Sequence, residues 1–209
     1  MSSKTVIITD SSCDLSADYL RANNIHVIPF TYNIDGQDYT DDLGQTMSYQ
    51  EFYGRLRDGS ISTTSQITSY TFEQTFRSFI DEGYSVIYIG FSSALSETFN
   101  NAVMARNNIL EENPSADITV IDSKSAAVGL GLIVYYAAEM LKEGKTKEEI
   151  VDWVENNKLK SNHWFIVDSL DHLKRGGRIS ATVAAIGTLL EIKPILIVNG
   201  EGKLEVAKR

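Results

Sequence analysis

Apolar residues fall along this chain in two rhythms, short unbroken runs and helical repeats, and the two alternate. The unbroken runs are Val6-Ile7-Ile8, Ile25-His26-Val27-Ile28, Val86-Ile87-Tyr88-Ile89 and Ile118-Thr119-Val120-Ile121. Runs this short, rich in β-branched residues and bounded by polar turns, predict strands buried on both faces. Residues 16–23 predict a short helix between the first two runs, which makes a β-α-β opening. Asp35-Gly36 between β-type residues predicts a hairpin turn. Ser48 and Glu51 have capping-box spacing for a helix carrying Phe52, Tyr53 and Leu56 and stopped by Asp58-Gly59. Residues 60–69 read as a polar stretch without an element of their own. Phe72, Phe76, Phe79 and Ile80 then share one helical face, with Gly83 placed to end it. Further helices are expected through Ala102, Ala105 and Ile109, over about 127–142, and over 146–156.

After Lys158 the rhythm changes. A strand at 164–167, a short helix at 170–174, the segment Arg175-Gly176-Gly177-Arg178 and a helix from Ser180 to about Leu190 lead to strands at 195–198 and 204–206. Asn199-Gly200-Glu201-Gly202 between those last strands is a strong hairpin signal. The expected architecture is α/β in two α/β subdomains, residues 1–157 and 158–209. The first holds a mostly parallel sheet with helices on both faces. Ligands of such sheets bind outside the carboxyl ends of the strands. Three of those ends are rich in hydroxyls: residues 9–12, 92–96 and 122–125.

Composition narrows the choice of ligand. The 209 residues carry 19 Lys and Arg against 28 Asp and Glu, a net charge of −9 that repels nucleic acid. The longest uncharged stretch, residues 125–138, is too short to cross a bilayer, so no stable membrane insertion is expected. The opening residues read as a first strand, and a lone Cys13 forms no internal disulfide, which points to the cytoplasm.

Motifs exclude several chemistries. The first strand-helix turn, Thr9-Asp10-Ser11-Ser12, lacks the glycines of a dinucleotide fingerprint, and neither a P-loop nor a His-Glu-x-x-His pair occurs. Gly129-Leu130-Gly131 fits helix packing. His26, His163 and His172 lie on separate elements, and no serine sits in a Gly-x-Ser-x-Gly elbow. Asp10 and Asp122, each at a strand end, admit two readings. They cap the turns that follow, or they serve a metal-dependent phosphate-processing enzyme as nucleophile and magnesium ligand. Gly176-Gly177-Arg178 brings a guanidinium close to a backbone turn where anions gather.

Five blocks in order resemble the DegV family of bacterial fatty-acid-binding proteins. They are Thr9-Asp10-Ser11-Ser12-Cys13-Asp14-Leu15, Thr63-Thr64-Ser65-Gln66, Ser92-Ser93-Ala94-Leu95-Ser96-Glu97-Thr98, Val120-Ile121-Asp122-Ser123 and Leu173-Lys174-Arg175-Gly176-Gly177-Arg178-Ile179-Ser180. The resemblance implies a non-catalytic carrier that holds one long-chain fatty acid, of the palmitate, stearate or oleate kind, in a tunnel between two α/β domains. It implies a FakB-like role as well, presenting the acid to a fatty acid kinase subunit that performs the phosphoryl transfer. By motif, Thr64 and Ser96 would hold the carboxylate, with Ser65, Ser93, Thr98 and Arg178 as secondary contacts. Phe30, Phe91, Leu95, Ile186, Leu189 and Leu190 are candidates for the apolar lining. Neither a cofactor, a metal nor a catalytic residue is implied. The chain departs from the family pattern at Ile67, where proline is usual, and at Glu97, where glycine is usual. It also ends before the family's usual C-terminal portion.

Overall fold

The computed structural model describes residues 4–180 and 193–207. Its centre is a four-stranded parallel sheet of β1 (Lys4–Asp10), β2 (His26–Ile28), β6 (Tyr84–Gly90) and β7 (Ile118–Asp122), in the order β2-β1-β6-β7. The apolar runs of the sequence are these strands. Their side chains alternate between two buried clusters, as a period of two requires. Val6, Ile8, Val86 and Tyr88 face one side with Phe72, Phe76, Ala102, Ala105 and Ile109 from α3 (Ser69–Asp81) and α4 (Thr98–Glu112). Ile7, Ile87, Ile89 and Ile121 face the other. There they meet Leu20 of α1 (Ala17–Ala22), Leu130, Ile133 and Val134 of α5 (Ala127–Lys142), and Ile150 and Val154 of α6 (Lys147–Asn157). Helices therefore cover both faces, as the alternating pattern predicts.

Side-chain caps fix where the helices begin. Ser16 accepts a hydrogen bond from the Tyr19 N–H at 3.2 Å and Thr68 accepts one from Thr71 at 3.2 Å. The reciprocal capping box forms at α6, between Thr146 and Glu149. At α2 (Tyr49–Arg57) the described bonds include only the serine half, from the Glu51 N–H to Ser48 Oγ.

A second sheet stands beside the first. β3 (Thr31–Ile34) and β4 (Gln37–Thr40) form the expected hairpin, and Asp35 and Gly36 take the two positive φ values, 53° and 83°, of its turn. The expectation for residues 60–69 is corrected here, because β5 (Ser62–Ser65) pairs antiparallel with β3 along its whole length. Ser-Thr-Thr-Ser shows no apolar alternation, so only its partner reveals it as a strand. Beyond residue 158, β8 (Trp164–Phe165), β9 (Leu196–Val198) and β10 (Leu204–Val206) make a third, antiparallel sheet in the order β10-β9-β8. The strand expected over 164–167 is only two residues long. Phe165, Leu170, Ile179 and Leu196 pack beneath this sheet with α7 (Asp171–Arg175). The helix expected from Ser180 to Leu190 falls, after its first residue, outside the described residues, as do Ile186, Leu189 and Leu190.

Candidate functional site

The carboxyl ends of β1, β6 and β7 are organised by two aspartates. Asp10 is fully buried and accepts from the Ser12 N–H at 3.1 Å, the Ser12 hydroxyl, the Tyr88 hydroxyl at 2.9 Å and the Phe91 N–H at 2.8 Å. Burial pushes its carboxyl above the ordinary range, against the pull of those hydrogen bonds. The same carboxylate drives the Tyr88 hydroxyl, already raised by burial, further up. Asp122 accepts from the N–H groups of Ser93 and Lys124 and pairs with Lys124 Nζ at 2.7 Å. Burial opposes its ionisation, yet Lys124 and Ser93 hold it below the ordinary range. Both carboxylates thus brace the turns that follow their strands, each accepting hydrogen bonds from backbone N–H groups. Among the described residues no group of three His, Cys, Asp or Glu side chains comes together to hold a metal ion.

The turn that Asp10 braces borders a cavity of about 780 Å³ outside the sheet's carboxyl edge. Thr64 reaches it from β5, held opposite Tyr32 by the β3–β5 pairing, and Ser96 reaches it from the loop before α4. Phe30, Phe91 and Ile61 supply apolar wall, while Ser12, Asp41 and the α7 segment with His172, Leu173 and Arg175 close other sides. Arg178 stands at the rim, its Nε donating to the Leu95 carbonyl at 3.0 Å. Of the residues that the motifs nominate, Thr64, Ser96 and Arg178 are therefore brought together. Ser65, Ser93 and Thr98 are not among the residues lining this space. Ser93 instead receives Lys124 Nζ at 3.0 Å, and Thr98 is fully buried behind Ser96.

The two departures have clear consequences. Glu97 is exposed, its carboxylate accepts from Asn100 Nδ2 at 2.6 Å, and it does not line the cavity. Ile67 is buried with Phe72, five positions on, in the spacing of a hydrophobic staple around the Thr68 cap.

Asp41, His172 and Leu173 are cavity residues that the sequence reading missed. Asp41 follows an exposed hairpin and is half-buried here; burial pushes its carboxyl up against a hydrogen bond from Ser11. His172 Nδ1 lies 2.9 Å from Arg175 Nη2. Nothing local marks Asp41 or His172, which the second sheet and α7 bring to the cavity, whereas Leu173 opens the fifth motif block without a role assigned to it there.

A second cavity of about 500 Å³ shares Phe91, Leu173 and Arg178 with the first. Its wall is mainly apolar, with Leu95, Val128, Leu132, Phe165, Val198 and Leu204 among its residues. The hydroxyls thus face the first chamber, while the second is the more strongly apolar of the two, an arrangement that suits an amphipathic ligand with a small polar head. No helix among the described residues is long and apolar enough to cross a membrane.

Residues 4–209 match the family model described as "Uncharacterised protein, DegV family". A DegV domain-containing protein of Clostridium perfringens is 48% identical over 201 residues, covering 96% of this chain and 69% of the relative. Among solved structures, a protein from Thermus thermophilus, described as fatty acid binding of a DegV family protein, superposes with a TM-score of 0.85 at 32% identity. That match covers 99% of this chain and 71% of the other. A fatty acid (stearic acid)-binding protein from Eubacterium ventriosum superposes at 0.88 with 31% identity, over 98% of this chain and 70% of its own.

Proposed function

The chain belongs to the DegV family, and from that premise we propose that it binds one long-chain fatty acid. The carboxylate lies between the hydroxyls of Thr64 and Ser96, and the acyl chain runs past Phe91 into the apolar chamber. One observation carries this reading: two hydroxyl-bearing segments, distant in sequence, face one cavity whose wall continues into an apolar one through Phe91, Leu173 and Arg178. A carboxylate taken out of water needs hydrogen bonds, and two hydroxyls supply them. The methylenes contribute about 0.8 kcal/mol each on burial, before the costs of association. The stearic acid held by the Eubacterium ventriosum protein supports the same ligand class.

In this reading the division at 157/158 separates two units, and the ligand lies between them. The protein acts in the cytoplasm as a carrier, and a fatty acid kinase subunit supplies the phosphoryl transfer. The basic rim of His172, Arg175 and Arg178 beside the head-group chamber gives that partner an approach to the carboxylate. Stearate titration tests the binding claim. Thr64→Val and Ser96→Ala should each weaken binding by roughly ten- to a hundredfold, the range for a hydrogen bond to a charged group. Unchanged affinity in both variants would remove the hydroxyls from the site.

A further inference from the structure

The segment carrying Thr64 and the segment carrying Ser96 are tied to each other behind the cavity. Both backbone polar groups of Ile67 take part. Its N–H donates to Thr98 Oγ1 at 3.2 Å, and its carbonyl accepts from Asn101 Nδ2 at 2.8 Å. Thr98 Oγ1 also accepts from Ser96 Oγ at 2.9 Å, and the Thr98 N–H donates back to Ser96 Oγ at 3.2 Å. Thr98 is fully buried, so it lies one bond behind the Ser96 hydroxyl and has no surface for a ligand. The backbone N–H at position 67 exists because the residue is isoleucine; a proline would have no donor to offer.

We infer that Thr98 is a positioning residue for head-group binding, and that Asn101 completes the clamp that sets the spacing of the two hydroxyls. The inference rests on the carboxylate site proposed above. When a carboxylate arrives, Ser96 turns its proton from Thr98 to the ligand, and the Thr98 hydroxyl turns its own proton onto Ser96 Oγ. The Ile67 N–H stays on Thr98 Oγ1 throughout, so both hydroxyl oxygens keep a donor and no covalent bond changes. A chain of hydrogen bonds polarised in one direction strengthens its terminal member, which here is the bond to the anion. The clamp therefore acts on the charged head and not on the acyl chain.

That distinction provides the test. The full chain and its variants are equilibrated with equimolar stearic acid and methyl stearate, and native mass spectrometry reads the ratio of acid-bound to ester-bound protein. Thr98→Val should lower the ratio about tenfold, Thr98→Ser should return it to within about threefold of wild type, and Asn101→Leu should lower it about threefold, the scale of a weakened charge-assisted bond. Asn101→Leu keeps both hydroxyls and decides the matter if Thr98→Val does not fold. The inference is overturned if Thr98→Val and Asn101→Leu keep the wild-type ratio while Ser96→Ala loses it, or if they lose acid and ester equally. A wild type without preference for the acid, unaffected by Ser96→Ala, overturns the carboxylate site itself and the clamp with it.

Discussion

Gly131 lies inside α5, in its second turn, where alanine would ordinarily improve a helix by about 1 kcal/mol. Here the sign reverses. A Cβ at this position would lie inside 3.0 Å of the Cys13 carbonyl oxygen, closer than real Cβ atoms come, and 3.2 Å from Leu15 Cγ. The obstacle is backbone, held by the short 3-10 turn at Ser11–Cys13 that Asp10 caps, so it does not rotate away as a flexible side chain would. Helix and turn must separate by several tenths of an ångström, through a cluster that includes Cys13, Leu130 and Val134. Overpacking of this kind costs about 1–3 kcal/mol, and a backbone obstacle belongs at the upper end of that range. Set against the helix-propensity gain of about 1 kcal/mol, Gly131→Ala should lose about 2 kcal/mol, or about 4–8 °C in Tm for a chain of this size. Gly54→Ala in α2 is the matched control, because nothing lies within 4 Å of the added methyl; it should gain up to about 1 kcal/mol. Urea unfolding of wild type and both variants measures the difference. Equal or greater stability in Gly131→Ala would refute close helix-to-turn packing as the reason for this glycine.

Further perturbations address the site directly. Asp10→Ala leaves the buried Tyr88 hydroxyl and the Phe91 and Ser12 donors without their acceptor and should cost about 3 kcal/mol or more, against about 1 for Tyr88→Phe; equal losses in urea unfolding would contradict the network. The raised carboxyl of Asp41 means that the folded protein keeps a proton the unfolded chain has released, so this group's contribution falls as pH rises from its ordinary value of 3.8 through the raised one. Asp41→Asn should therefore gain stability relative to wild type on going from acid to neutral pH, and a pH-independent difference in melting temperature would count against it. Trp164 is 66% exposed and lines the apolar chamber. In a Trp153→Phe background, which removes the chain's other tryptophan, the Trp164 emission should move to shorter wavelength on adding stearate, and binding without any shift would place the acyl chain elsewhere.

The sheet was legible because its strands are buried on both faces and its helices on one, so period alone separates them. The Asp35-Gly36 turn was legible because its two positive φ values need those residue types. β5 was not, since Ser62, Thr63, Thr64 and Ser65 are a strand only by virtue of pairing with β3. The motifs nominated Thr64, Ser96 and Arg178, which share one cavity, but Asp41 and His172 arrive there through long-range packing that leaves no local trace. The partnership of Asp10 with Tyr88 spans 78 positions and was invisible for the same reason. Thr98 stands in the motif beside Ser96, yet only the geometry separates a residue that faces the cavity from one that supports it.

The central claim, a fatty acid held by its carboxylate at Thr64 and Ser96, is tested most directly by denaturing extraction of the protein purified without added lipid, followed by lipid mass spectrometry. Ser96→Ala is purified in parallel. The account predicts one long-chain fatty acid per wild-type chain and a clear reduction in the variant. Extracts that contain no fatty acid, or that hold equal amounts from both proteins, would contradict it.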